Sequence, residues 1–139
     1  MVFLKLKEKE EFSNKERILE ELELKLLDSV KKNVSSNDNF GIAFSGGVDS
    51  SLLAFICKKL KLNFKLYTVS VSDAEDLEWA KRVSNNLKLV HSVKIIDFDN
   101  ALEIIRKVCK LLKTDNPVQV GIGCTLYSVL EQAKNDNID

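Results

Sequence analysis

Seven consecutive residues, Ser45-Gly46-Gly47-Val48-Asp49-Ser50-Ser51, bring hydroxyls, bare backbone and one carboxylate into a single short segment. An apolar stretch, Phe40-Gly41-Ile42-Ala43-Phe44, precedes it, and an amphipathic stretch begins at Leu52. That order reads as strand, tight glycine turn and helix. A turn of this kind aims successive backbone N–H groups and the positive end of a helix dipole at one small volume. The chemistry is anion binding, with a phosphate as the natural ligand. Ser45, Ser50 and Ser51 add hydroxyl donors. Asp49 is repelled by a phosphate unless a cation lies between them. Mg²⁺ resolves the conflict, because it takes carboxylate and phosphate oxygens together. Asp49 is therefore the candidate metal ligand.

Such a loop needs rigid elements on both sides. Residues 40–44 form the first expected strand. A helix follows to about residue 61, with Leu52, Leu53, Phe55, Ile56 and Leu60 as its buried face. Residues 64–71 read as a second strand. Residues 76–88 read as a helix burying Leu77, Ala80, Val83 and Leu87, and residues 90–96 as a third strand. A helix over 100–112 carries Leu102, Ile105, Val108 and Leu112. After a loop through Asp115-Asn116-Pro117, a last helix is expected over 123–134. Upstream, Ser13-Asn14-Lys15-Glu16 has the capping-box pattern. It predicts a helix to about Val34 with Leu19, Leu22, Leu26, Leu27 and Val30 at helical spacing. Strands alternating with helices imply an α/β fold, a parallel sheet joined by right-handed crossovers with helices on both faces. Ligands of such sheets lie beyond the carboxyl ends of the strands, so Val69-Ser70-Val71 should border the site. The expected organisation is an N-terminal extension and helix over 1–39, then a loop-bearing domain over 40–139.

The loop lacks the lysine of a Walker A sequence, since none occurs between residues 39 and 57, and it is not GxGxxG. It resembles, residue for residue, the SGGxDS motif of the PP-loop ATP pyrophosphatase superfamily. Tyr67-Thr68-Val69, the stretch from Glu75-Asp76-Leu77 to Ala80, Val120-Gly121-Ile122-Gly123, Leu126-Tyr127 and Ala133-Lys134 narrow the likeness. They resemble the synthetase domain of asparagine synthetase-like proteins, from residue 40 onward. The resemblance implies ATP and Mg²⁺ as ligands and cleavage of ATP between the α- and β-phosphates. A carboxylate is activated as an acyl-adenylate, and ammonia displaces AMP. Carried over by position, Asp49 binds Mg²⁺, and Ser45, Gly46, Gly47, Ser50 and Ser51 hold the pyrophosphate. Ala43 and Val69 contact the adenosine, Val69 through its backbone.

The resemblance also implies that the chain is incomplete relative to the family. A second acidic loop is expected after the last residue and a glutamine-hydrolysing domain before residue 40, so a partner chain supplying the missing half is expected. The family strand order is 3-2-1-4-5. Without a fourth strand, residues 40–44 form an edge with no Lys, Glu or Pro to protect it, which predicts a homodimer through that edge. Residues 114–133 hold no Lys or Arg to flank the phosphates. Three readings stay open: part of an AMP-forming amide ligase, a non-enzymatic nucleotide-binding fragment or subunit of a split enzyme, and a tRNA-modifying PP-loop ATPase.

The remaining features bound the function. Lys+Arg and Asp+Glu both number 21, so the formal net charge is zero, which speaks against a nucleic-acid partner. No apolar run reaches membrane-spanning length, and the charge-rich residues 1–11 are no signal peptide, so the expected location is the cytoplasm. Cys57, Cys109 and Cys124 have no CxxC spacing and read as small buried apolar residues. His91, the single histidine, opens a strand and reads as structural. Asp73, Glu75 and Asp76 fall near the site mouth, where acidic residues in a first helical turn are stabilising in their own right.

Overall fold

The structure is a computed structural model that describes residues 15–34, 39–72 and 74–138. The chain divides into two units, residues 1–35 and 36–139. In the first unit, α1 (Lys15–Asn33) is amphipathic. Arg17 pairs with Glu21 at 3.7 Å and Lys32 with Asp28 at 2.6 Å, both one helical turn apart and exposed. Such pairs are worth about 0.2–0.5 kcal/mol each. The capping residues expected at Ser13 and Asn14 lie outside the described residues.

The second unit runs β1 (Asn39–Ala43), α2 (Val48–Lys59), β2 (Asn63–Ser70), α3 (Glu75–Asn86), β3 (His91–Ile95), α4 (Phe98–Leu112) and α5 (Pro117–Asn135). The three strands form a parallel sheet in the order β1-β2-β3, with Ile42 beside Leu66 and Leu66 beside His91. Among the described residues β1 is therefore an edge, and β2, buried between its neighbours, carries the apolar run typical of such a strand. Alternation along β2 assigns the helices to faces. Leu66 and Thr68 share a face with His91, whose ring reaches Ser84 on α3. Tyr67 and Val69 point the other way, where Tyr67 packs on Val129 and Ala133 of α5. On that same face Gln132 donates to Ser92 at 2.7 Å, and Lys94 pairs with Glu131 at 2.7 Å. α4 lies against α5 through Ile104, Val108 and Val120. The sheet is thus covered by helices on both faces, as the alternation of elements implies.

A close approach explains the glycine of β1. The ring of Tyr67 lies over Gly41, where a Cβ would sit 2.9 Å from Cε2. The phenol reaches past that point and donates to Asp136 Oδ2 at 2.7 Å, while Lys65 Nζ meets the same oxygen at 2.6 Å. Burial, then the Asp136 carboxylate, push the Tyr67 hydroxyl well above the usual phenol range. Lys65, then Tyr67, hold the Asp136 carboxyl below the usual carboxylate range. This cluster ties the end of α5 to β2.

Several boundaries and faces differ from the sequence expectation. α5 starts at Pro117, not at residue 123. Asn116 Oδ1 accepts from Val118 N at 3.0 Å and Gln119 N at 3.2 Å, and Pro117 occupies the first turn where its missing N–H costs nothing. α2 starts at Val48, which places Ser50 and Ser51 in its first turn. Its buried side chains are Ala54, Ile56 and Cys57, whereas Leu52, Leu53 and Phe55 are exposed. With apolar residues on every side of this helix the pattern has no phase, and the small Ala54 and Cys57 are among the side chains that face inward. α4 starts at Phe98, capped by Asp97, which accepts from Asn100 N at 2.8 Å. It buries Ile104 and Val108, while Leu102, Ile105 and Leu112 are exposed. Of the cysteines only Cys57 is fully buried; Cys109 and Cys124 are half-buried. Burial raises the thiol pKa of both Cys57 and Cys124.

Candidate functional site

The residue before the loop is fixed from two sides. Phe44 N donates to Tyr67 O at 2.8 Å, which extends the ladder one residue past β1. The Phe44 carbonyl accepts the hydroxyl proton of Thr68. Thr68 has only one proton to give, so its oxygen must accept from His91 Nε2, 2.7 Å away. Ser84 Oγ stands 2.8 Å from His91 Nδ1 and 2.9 Å from the Lys81 carbonyl, and with a neutral ring its single proton goes to Nδ1 in preference to that carbonyl. Burial, with a smaller contribution from the Lys81 charge, lowers the imidazole pKa and favours that neutral form. The Phe44 ring closes on His91 edge-on at 5.5 Å. His91 is accordingly structural: it links α3, β3, β2 and the exit of β1.

The loop then turns sharply against α3. Gly46 has φ +74°, and a Cβ there would lie 2.7 Å from Ala80 Cα and 3.1 Å from Ala80 N. Both requirements, left-handed backbone and no side chain, call for glycine. Gly47 is the N-cap of α2 and has no side chain to satisfy the helix start. The serines bond the loop to itself and leave the first-turn N–H groups of α2 without a side-chain cap. Gly47 N donates to Ser45 Oγ at 3.2 Å, Ser45 N to Ser50 Oγ at 3.4 Å, and Ser50 Oγ to the Gly47 carbonyl at 3.3 Å. Ser51 Oγ is buried without a hydrogen-bond partner among the described residues. Asp49 is exposed on the first turn of α2. The arrangement can receive an anion, with donors and the helix dipole directed at one place.

Beside the loop, beyond the carboxyl ends of β1 and β2, lies a cleft of about 270 Å³ bordered by Ala43, Ser45, Val69, Ser70, Asp76 and Thr125. It adjoins a more apolar cavity of about 490 Å³ between the ends of β2 and β3 and helices α4 and α5, with Val69, Ser70 and Thr125 common to both. The structure thus brings Ala43, Ser45 and Val69 to one cleft and sets Gly46, Gly47, Ser50 and Ser51 in the loop next to it. Asp76 reaches the cleft and Glu75 stays exposed on the first turn of α3, while Asp73 lies outside the described residues. Among the described residues no three His, Cys, Asp or Glu side chains form a metal-ligating group. One participant escaped the sequence reading. Trp79, on α3, donates its indole N–H to the Gly46 carbonyl at 3.0 Å. A contact spanning 33 residues leaves no local signal.

The model of the asparagine synthase family matches residues 21–139. The chain belongs to the asparagine synthase family. Its relatives include a putative glutamine-hydrolysing asparagine synthetase of Methanocaldococcus jannaschii, 37% identical over 128 residues that cover 89% of this chain and 24% of that protein. Asparagine synthetase B of Escherichia coli is 27% identical over 128 residues, covering 82% of this chain and 23% of that protein. The chain therefore spans about a quarter of the length of the curated relatives it matches. Among solved structures, the NH3-dependent NAD synthetase of Campylobacter jejuni superposes with a TM-score of 0.57 at 24% identity, over 88% of this chain and 53% of that one. The NMN synthetase of Francisella tularensis superposes with a TM-score of 0.55 at 18% identity, over 88% and 51%. These two likenesses are of fold, the PP-loop type of α/β sheet. No helix among the described residues is long and apolar enough to cross a membrane.

Proposed function

We propose that this chain carries the pyrophosphate-holding part of an ATP- and Mg²⁺-dependent, AMP-forming amide ligase of the asparagine synthetase kind. Residues 40–139 are the ATP-binding domain in this reading and residues 1–39 an extension, and the protein works in the cytoplasm with the remainder of the ligase. The observation that carries the proposal is the loop itself. Gly46 is wedged on α3 with no room for a side chain, and the donors of residues 45–51 gather at the start of α2.

The residues present fit the ligands proposed. Ser51 Oγ is a buried polar atom awaiting a partner, and the bare, exposed backbone at Gly47 lets a phosphate approach closely. Asp49 is a single carboxylate, and Mg²⁺ is commonly held by one or two carboxylates together with phosphate oxygens and water. Bound Mg²⁺ would offset the charge of the departing pyrophosphate. The protein's own share is to orient it: the amides of Gly46 and Gly47 and the hydroxyls of Ser45, Ser50 and Ser51 hold the phosphates in place. Ala43 and Val69 border the neighbouring cleft, where they would receive the adenosine.

Calorimetric titration of ATP with and without Mg²⁺ tests the reading. Asp49→Asn should weaken the Mg²⁺-dependent part of binding and leave the fold intact. Unchanged magnesium dependence would remove Asp49 from the metal site. The 139-residue chain by itself should bind ATP weakly and release little pyrophosphate when given carboxylates and ammonia. Robust turnover by it would overturn the assignment to part of a ligase.

A further inference from the structure

Trp79 is the single tryptophan of the chain, and the residue is 53% exposed although its indole N–H is committed to the loop. The carbonyl of Gly46 and the N–H of Gly47 belong to one planar peptide unit and point in opposite directions. The indole hydrogen bond to the Gly46 carbonyl therefore fixes more than one atom. It turns the Gly47 N–H away from α3 and toward Ser45 Oγ, on the side where the loop donors gather. Ala80 acts as a backstop, since its backbone stands 2.7 Å from where a Cβ of Gly46 would be. On the ring, Arg82 Cζ lies 5.5 Å from the centroid, a cation–π contact that limits how far the indole swings.

We infer that Trp79 is a positioning residue for the anion of this loop: it holds the Gly46–Gly47 peptide with its donor facing the ligand. The inference rests on the reading of residues 45–51 as a phosphate holder, and it adds a residue from a different element. A tryptophan that merely packs would stabilise α3 whether or not an anion is bound. A positioning tryptophan must sense the anion, because ligand and indole hold the two ends of the same peptide unit.

The test uses Mg²⁺·pyrophosphate as the probe on the 139-residue chain. Nitrogen–proton NMR shows one indole signal, which should shift saturably with a midpoint equal to the calorimetric Kd. Trp79→Phe keeps most of the ring but removes the donor. It should raise the Kd about 5–10-fold while the urea midpoint of the free protein falls by no more than about 0.75 M, the loss of one hydrogen bond to the ligand-binding peptide. If the parent binds and its indole signal does not move at saturation, the inference fails, even should Trp79→Phe not fold. Equal affinity in the parent and Trp79→Phe overturns it as well. If the parent itself binds no pyrophosphate, the phosphate-holder reading falls first and this inference with it.

Discussion

Replacing Gly46 with alanine adds one methyl group to the most confined point of the loop. Two costs arise. The backbone sits at φ +74°, where a non-glycine residue loses roughly 1–2 kcal/mol. The new Cβ would also stand 2.7 Å from Ala80 Cα and 3.1 Å from Ala80 N, which are backbone atoms that cannot rotate aside. Forced overpacking of this kind costs roughly 1–3 kcal/mol. The sum is about 2–5 kcal/mol, a large part of the roughly 5–15 kcal/mol that stabilises a domain. With a urea slope of about 2 kcal/mol per molar, the unfolding midpoint should fall by about 1–2.5 M. Gly47→Ala, one residue later, is the matched control. Its φ is −68°, and the nearest atom is the movable Ser45 Oγ at 3.3 Å, so it should stay within about 1 kcal/mol of the parent. Urea unfolding of the three proteins decides the matter. Should Gly46→Ala lose no more than Gly47→Ala, the loop does not lie against α3 as described.

A second glycine pair makes the same contrast in α5: Gly123→Ala would drive a Cβ to 2.7 Å from Val108 Cγ1 and lose about 1–3 kcal/mol, while Gly121→Ala meets nothing within 4 Å and should gain roughly 0.5–1 kcal/mol. Thermal melts that rank the two the other way would refute the α4–α5 packing. The neutral imidazole of His91 has a pKa lowered from its ordinary 6.5, so the unfolded chain binds the extra proton first. Its contribution to stability is full above pH 6.5 and is lost as pH falls through the lowered value. Urea midpoints from pH 8 to pH 5 should drop more steeply for the parent than for His91→Gln, and parallel curves would contradict the argument. β1, an edge among the described residues, carries no Lys, Glu or Pro, so the 139-residue chain is expected to associate as its concentration rises. Light scattering that reports one monomer mass at every concentration would reject that expectation.

The loop and the three strands were legible because each depends on local chemistry. Gly46 has to be glycine for the turn, and the runs flanking it are apolar and bounded by polar residues. The resemblance carried by residues 45–51 and the later segments pointed to the family whose model covers residues 21–139. The start of α5 was placed six residues late, at 123 instead of Pro117. Asn116-Pro117, a cap followed by a first-turn proline, was the stronger signal and lay in plain view. The inward side of α2 was not legible: Leu52, Leu53, Phe55 and Ile56 surround the helix, and only contact with the sheet selects Ala54, Ile56 and Cys57. Trp79 and the His91 chain through Thr68 and Ser84 join residues far apart in sequence, and no periodicity encodes such a meeting.

The loop's own hydrogen bonds bear on selectivity. Gly47 N–H and Ser45 N–H already have serine oxygens as partners, so a ligand that takes them exchanges bonds instead of adding them. Each ordinary exchange nets only about 0.5–1.5 kcal/mol, and the bonds given up here are long, at 3.2 and 3.4 Å. Beyond the unpartnered Ser51 Oγ, what a ligand gains comes from its charge in the field of the α2 dipole, a term that weakens as ionic strength shortens the Debye length to about 8–10 Å. A neutral molecule of the same outline lacks that term and gains less there. The loop thereby sorts by charge before it sorts by shape.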